Sequence, residues 1–202
     1  MNESESEWLV RAQKGDDVAF ARLVELYQKP VYNLCYRMLG NPGDAEDAAQ
    51  EAFLRAYKNL RRYDSDRPFA TWLLSIASHY CIDQLRKQRF NAFSLDDDEN
   101  TWLEPPDPGM GPEASLSAQE KQAQVQTLLD QLSPKDRAAV VMHYWYDYSY
   151  EEIAQELSLT VSAVKSRLHR CRRELAGQWQ AVQAKTAERI NPERMRNESP
   201  AF

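Results

Sequence analysis

The segment from Asn91 to Gln124 does most to limit what this chain can fold into. It carries Asp96-Asp97-Asp98-Glu99 and then the run EPPDPGMGPE, which places four of the chain's ten prolines between residues 105 and 112. Proline removes a backbone donor and clashes with the preceding turn, and dense acid repels itself, so this stretch can neither continue a helix nor build a core. Structureless loops of this length are uncommon inside one compact unit. The 202 residues are therefore expected to form a domain over 1–90, a linker over 91–124, a second domain over 125–178 and a tail over 179–202.

The same segment explains the charge. The formal net charge is -6, yet residues 1–90 hold 13 acidic and 13 basic side chains and residues 125–202 hold 10 and 11, against 8 and 1 in residues 91–124. The negative balance sits in the linker, and both flanks remain free to offer basic faces to nucleic acid. Nothing suggests secretion or membrane insertion. The N-terminus is acidic, and no apolar run approaches the ~20 residues that span a bilayer. Cys35, Cys81 and Cys171 are odd in number and scattered, which fits a reducing cytoplasm and neither a disulfide framework nor a zinc site.

Both flanks read as helices. Gly totals only 6, and no alternating strand pattern of any length occurs. Trp8, Val10, Phe20, Leu23, Val24, Tyr27, Val31, Leu34, Cys35 and Met38 recur at helical spacing over one or two helices, with Pro30 a kink or boundary. A turn follows at Gly40-Asn41-Pro42-Gly43. Asp44 is then expected to cap a helix whose stripe is Ala45, Ala48, Ala49, Ala52, Phe53, Ala56, Tyr57 and Leu60, a surface that packs through small residues. A third helix should begin near Pro68 and bury Trp72, Leu73, Ile76, Ala77 and Tyr80. After the linker, one helix ends at Leu132. Ser133-Pro134 opens the next, which runs through about Trp145. Ser149 and Glu152 form a capping box for a short helix through Leu157, and Thr160 caps a last one reaching Leu175 or beyond.

Residues 149–175 have the proportions of a helix-turn-helix. On the second helix Val161, Val164, Leu168, Cys171 and Leu175 share an apolar face. The opposite face carries Ser162, Ser166, His169, Arg170 and Arg173, flanked by Lys165, Arg167 and Arg172. Five Lys or Arg and no acid fall between 165 and 173. Such a helix can present Ser162, Lys165, Ser166 and His169 to base edges while Arg170, Arg172 and Arg173 neutralise phosphates. The plainer alternative is a solvated basic helix. In the first domain Tyr63, Arg67, Phe69 and Trp72, followed by Arg86, Lys87 and Arg89, mix aromatic and basic side chains in the way single-stranded DNA requires. Taken alone, Phe69 and Trp72 also fit a core.

Together these motifs resemble the bacterial RNA polymerase sigma factors of the extracytoplasmic-function (ECF) class over about residues 7–90 and 125–175. DAEDAAQEAFLRAY is similar to the polymerase-binding helix. FATWLLSIASHYCIDQLRKQR is similar to the -10 and promoter-melting helix, and the segment from LSPKDRAAVV to CRREL to the -35 reading module. The resemblance implies an all-α protein of two small domains, a sigma-2-like bundle and a sigma-4-like helix-turn-helix, that catalyses nothing and uses no cofactor or metal. It implies that Glu46, Asp47, Gln50, Glu51, Leu54 and Arg55 dock on the clamp coiled coil of the polymerase's largest subunit. Tyr63 to Arg89, including His79, would hold the opened -10 element, and an anti-sigma factor is an expected partner. His79 stands where the family commonly has Asn, and Ser162-Ala163-Val164-Lys165 where it often has Gly-Thr-Val-Lys. The linker would thread the polymerase channel, with Asp96, Asp97, Asp98 and Glu99 imitating RNA.

Other functions fit less well. His79-x-Cys81 and His169-x-Cys171 look like paired metal ligands, but residues two apart on a helix point in nearly opposite directions. No phosphate loop follows a strand. A plain helix-turn-helix repressor would leave the first domain unexplained, and a sigma mimic would not need the positive face at 165–173.

Overall fold

A computed structural model describes residues 4–190 apart from 93–121, with side chains described for 4–90 and 122–180. The expectations for the linker acids, and for the tail beyond Ile190, fall outside the described residues. Among the described residues the regular structure is helical throughout: α1 (Glu5–Gln13), α2 (Asp17–Leu39), α3 (Pro42–Asn59), a short 3-10 turn (Leu60–Arg62), α4 (Phe69–Ala92), α5 (122–130), α6 (Pro134–Tyr146), α7 (Tyr150–Leu157) and α8 (Val161–Ile190).

Local chemistry sets most boundaries. Asp16 caps α2 by accepting from Val18 and Ala19 backbone N–H groups at 3.0 and 3.1 Å. Gly40 closes the same helix at φ 79°, a left-handed conformation that glycine adopts without Cβ strain. Pro30 lies inside α2 and does not end it. Its own carbonyl accepts from the Tyr146 hydroxyl at 2.7 Å. The cap of α3 is Asn41, which accepts from the Asp44 backbone N–H at 3.1 Å, and Pro42 takes the first helical turn. This corrects the expectation of Asp44 as cap. Proline pre-sets the helical φ, so the helix starts three residues earlier. Ser133, Ser149 and Thr160 cap α6, α7 and α8 as their sequence context predicts.

The first bundle closes around the alanine stripe. Ala45, Ala48, Ala49, Ala52 and Ala56 are all buried, and small side chains let α3 lie close against α2. Tyr57, expected on that stripe, is instead exposed at the bundle edge. Its hydroxyl donates to Asp17 at 2.6 Å, and its ring meets Phe20 edge-on. Cys35 on α2 and Cys81 on α4 are fully buried against each other. The hydrogen bond to Cys35, together with burial, holds the Cys81 thiol well above its ordinary pKa, in an unreactive protonated state.

Two helices are buried on more faces than one stripe accounts for. On α4, Leu73, Leu74, Ser75, Ala77, Ser78, Cys81 and Ile82 are all buried, while Trp72, Ile76 and Tyr80 are only half-buried. On α6 every residue from Asp136 to Met142 is buried. The reason is a contact between the two flanks. The α6 helix packs on α2 and α4 of the first bundle with one side and on α7 and α8 with the other.

Candidate nucleic-acid and polymerase interfaces

The α8 helix has a buried and an exposed face, with Val161 and Leu175 half-buried at the edge of the apolar one. Val164, Leu168 and Cys171 are buried, whereas Ser162, Lys165, Ser166, His169, Arg170, Arg172 and Arg173 are exposed. Their freedom differs. Arg170 reaches back to Asp136 on α6 at 3.0 Å, and Arg167 reaches the other oxygen of the same carboxylate at 2.7 Å. Burial alone would raise the Asp136 carboxyl. The Ser133 hydroxyl and the two guanidinium groups outweigh it and hold the carboxyl below its ordinary range. Arg170 therefore orients α8 on α6 as well as adding positive charge to the exposed face.

Beside this face lies a groove of about 580 Å³ lined by Lys165, Ser166, His169 and Arg172 from α8 and by His143, Tyr144 and Tyr150. The Lys165 ammonium sits 5.6 Å from the centroid of the Tyr150 ring. The last three residues were not singled out by sequence reasoning. The signal for Tyr144 and Tyr150 was the aromatic run YWYDYSY at 144–150, which contains more rings than a single apolar stripe can bury.

In the first bundle, Tyr63, Phe69 and Trp72 pack against one another in edge-on and tilted arrangements with centroids 5.0 to 5.6 Å apart. Tyr63 and Phe69 are buried, and the Tyr63 hydroxyl donates to the Arg67 carbonyl. The expectation that both would meet an unstacked base is corrected here, because buried rings have no face left for a ligand. Both prop Trp72 instead. Trp72, Ile76, His79, Arg55, Asn59 and Arg62 line a cavity of about 390 Å³, a size and chemistry suited to a flipped or unstacked base. Arg86 and Lys87 are exposed further along α4, with Arg86 3.7 Å from Asp83. Arg89 donates to the Leu132 carbonyl at 3.1 Å.

Glu46, Asp47, Gln50 and Leu54 form an exposed strip on α3, opposite the buried alanines. Glu51 is half-buried and pairs with Arg55 at 2.7 Å. The Arg55 guanidinium also lies 4.8 Å from the Tyr80 ring centroid. Arg55 thus joins the α3 strip to the cavity around Trp72. The His-x-Cys pairs are split as helix geometry requires, with Cys81 and Cys171 buried and His79 and His169 exposed.

Comparison with known proteins assigns this architecture to the sigma-70 class. Residues 23–91 match the family model for sigma-70 region 2, and residues 122–175 match that for sigma-70 region 4. The ECF RNA polymerase sigma factor SigW of Bacillus subtilis is 38% identical over 173 residues, covering 83% of this chain and 92% of that protein. The ECF RNA polymerase sigma factor SigE of Mycolicibacterium smegmatis is 35% identical over 167 residues, covering 80% of this chain and 63% of that longer protein. Among solved structures, the sigma factor RpoE of Bartonella quintana, in complex with the anti-sigma factor NepR, shares the fold with a TM-score of 0.64 at 18% identity, over 80% of this chain and 96% of that one. The chain belongs to the ECF RNA polymerase sigma factors, which are transcription initiation factors.

Proposed function

We propose that this chain acts in the cytoplasm, catalyses no reaction itself, and divides promoter recognition among three surfaces. The exposed α3 strip of Glu46, Asp47, Gln50 and Leu54, with Glu51 and Arg55 at its edge, docks on the clamp coiled coil of the largest polymerase subunit. The cavity around Trp72 and His79 receives a base of the opened -10 strand, with Arg67, Arg86, Lys87 and Arg89 near its phosphates. The exposed face of α8 enters the major groove of the -35 element, where Ser162, Lys165, Ser166 and His169 meet base edges and Arg170, Arg172 and Arg173 meet phosphates.

The observation that carries this reading is the sharp division of α8. Val164, Leu168 and Cys171 are buried and Val161 and Leu175 half-buried, while every cation between 165 and 173 except the half-buried Arg167 is exposed. A helix kept only for packing would not need so dense a positive face beside an aromatic groove. Control by an anti-sigma factor is proposed on the strength of the family. The RpoE structure is one in which a sigma factor of this fold is bound by such a protein.

The test is reconstitution with bacterial core polymerase on a library of random promoters. The expected result is polymerase-dependent transcription from templates sharing two separated elements. Failure of the purified chain to associate with core polymerase, or a symmetric footprint made without it, would overturn the reading.

A further inference from the structure

The cavity around Trp72 is supported from α1, a helix that supplies none of its lining residues. α1 ends at Gln13, just before a turn fixed by Gly15 at φ 93° and by Asp16, whose carboxylate accepts from Arg11 at 2.8 Å while it caps α2. The turn leaves the half-buried Gln13 side chain facing the segment that follows α3. Its Nε2 donates to the Leu60 carbonyl at 3.3 Å and to the Tyr63 carbonyl at 3.1 Å. Both partners are acceptors, so only the NH2 end of the amide fits there, and its two hydrogens can serve two carbonyls at once. The match to sigma-70 region 2 begins at Leu23, so Gln13 and the whole of α1 precede it.

The two carbonyls flank Arg61 and Arg62, and Arg62 lines the cavity together with Asn59. Tyr63 in turn backs Trp72, with 5.0 Å between ring centroids. The other end of α1 reaches the same rings. The Glu5 carboxylate accepts from the Tyr27 hydroxyl at 2.7 Å, and the Tyr27 ring meets Phe69 edge-on at 5.5 Å. The far end of the 63–67 loop is fastened separately, by the Tyr63 hydroxyl on the Arg67 carbonyl and by the ion pair of Arg67 with Glu156 of α7. The near end carries the turn's own bond, from the Tyr63 N–H to the Leu60 carbonyl at 3.1 Å, and the two bonds from Gln13.

We propose that Gln13 is a positioning residue for the -10 pocket: by pinning the carbonyls on either side of Arg61 and Arg62, it holds the Arg62 guanidinium and the Tyr63 ring behind Trp72 where a single unstacked base needs them, without touching DNA itself. The proposal rests on the -10 assignment made above. Binding sites work when their walls are held to within about 0.5 Å of the productive geometry. Trp72, Ile76 and His79 stand on α4, a long packed helix, whereas Arg62 stands on a turn of three residues. Such a turn has poor hydrogen-bond geometry of its own. The fork from Gln13 supplies the stiffness that the turn lacks, and a base stacked on Trp72 then meets Arg62 at a fixed distance. Loss of the fork is expected to weaken the grip on that base alone.

The test uses the full chain bound to core polymerase and a single-stranded -10 oligonucleotide recovered from the promoter library, together with copies carrying an abasic site at each position in turn. Arg62→Ala and His79→Ala, both at exposed positions in the cavity wall, identify the base that enters it, because the abasic penalty at that position shrinks in these variants. Gln13→Met keeps the length and helix propensity of the side chain and removes both donors. It is expected to lower affinity for the intact oligonucleotide roughly three- to tenfold and to shrink the abasic penalty at that same position and no other. Affinity for core polymerase and for a -35 duplex should stay at the parent value. Should Gln13→Met fail to fold, Gln13→Asn keeps the amide but falls one carbon short of the two carbonyls, and the same pattern is expected with a smaller loss. An unchanged affinity in the variant that folds overturns the proposal. So does an equal loss at every position, or a parallel loss of core and -35 binding, since either would mean that Gln13 only supports the fold. If Arg62→Ala and His79→Ala shrink no abasic penalty at all, the -10 assignment itself has failed. If they do and the Gln13 variant does not, the assignment stands and the positioning role is wrong.

Discussion

Asp136 shows how single side chains hold α8 in place. Its carboxylate takes Arg167 at 2.7 Å, Arg170 at 3.0 Å and the Ser133 hydroxyl at 2.6 Å, tying the start of α6 to the middle of α8. Because its pKa is lowered in the folded state, its contribution is complete above the ordinary carboxylate range near ~4 and is lost as pH falls through the lowered folded value. Asp136→Asn is therefore expected to cost about 1–3 kcal/mol in urea unfolding at pH 7. The difference from the parent should shrink as pH falls below ~4. A difference independent of pH would mean that shape, not charge, fixes α8. The basic face of α8 was legible in the sequence. Its counter-ion was not, because Asp136 and Arg167 lie 31 residues apart and no local period connects them.

At the scale of elements, boundaries follow side-chain chemistry and were largely readable. The capping box at Ser149 and Glu152 forms as spelled out, with the Glu152 carboxylate accepting from the Ser149 backbone N–H at 2.8 Å. The end of α7 was less so. Its C-cap is Ser158 at φ 51°, a left-handed conformation that this helix-turn-helix imposes on a residue with a Cβ. Glycine adopts that conformation without strain, so Ser158→Gly is expected to raise the melting temperature by a few degrees, corresponding to about 0.5–1 kcal/mol. It should leave -35 binding unchanged. A lower melting temperature would show that the Ser158 side chain holds the turn. The breadth of burial on α4 and α6 was not readable, for a different reason. Periodicity reports which face of a helix is apolar, but a run such as AAVVM has no polar face to mark where a second neighbour lies.

At the scale of the whole chain, the linker divides the sequence but does not keep the flanks apart, since α6 serves as a wall of both. Arg137 is the buried polar link in that wall. It is 4% exposed, donates to the Met38 carbonyl of α2, and pairs with Asp130 at 3.0 Å. Burial lowers its pKa, with Asp130 opposing that shift. A guanidinium in this position ties the unfolding of the two modules together, because neither can open without leaving a buried charge or carbonyl unpaired. The free chain is therefore expected to melt in one calorimetric transition whose van't Hoff and calorimetric enthalpies agree. Arg137→Ala leaves Asp130 and the Met38 carbonyl without this partner and opens a void at the seam, a loss of about 3 kcal/mol or more. The single transition should then resolve into two, the second module melting first because its core of α6 to α8 is the smaller. Two transitions already present in the parent chain would show that the seam is too weak to couple the modules. One transition retained at a lower temperature in the variant would show that the apolar faces of α4 and α6, and not this polar link, carry the coupling.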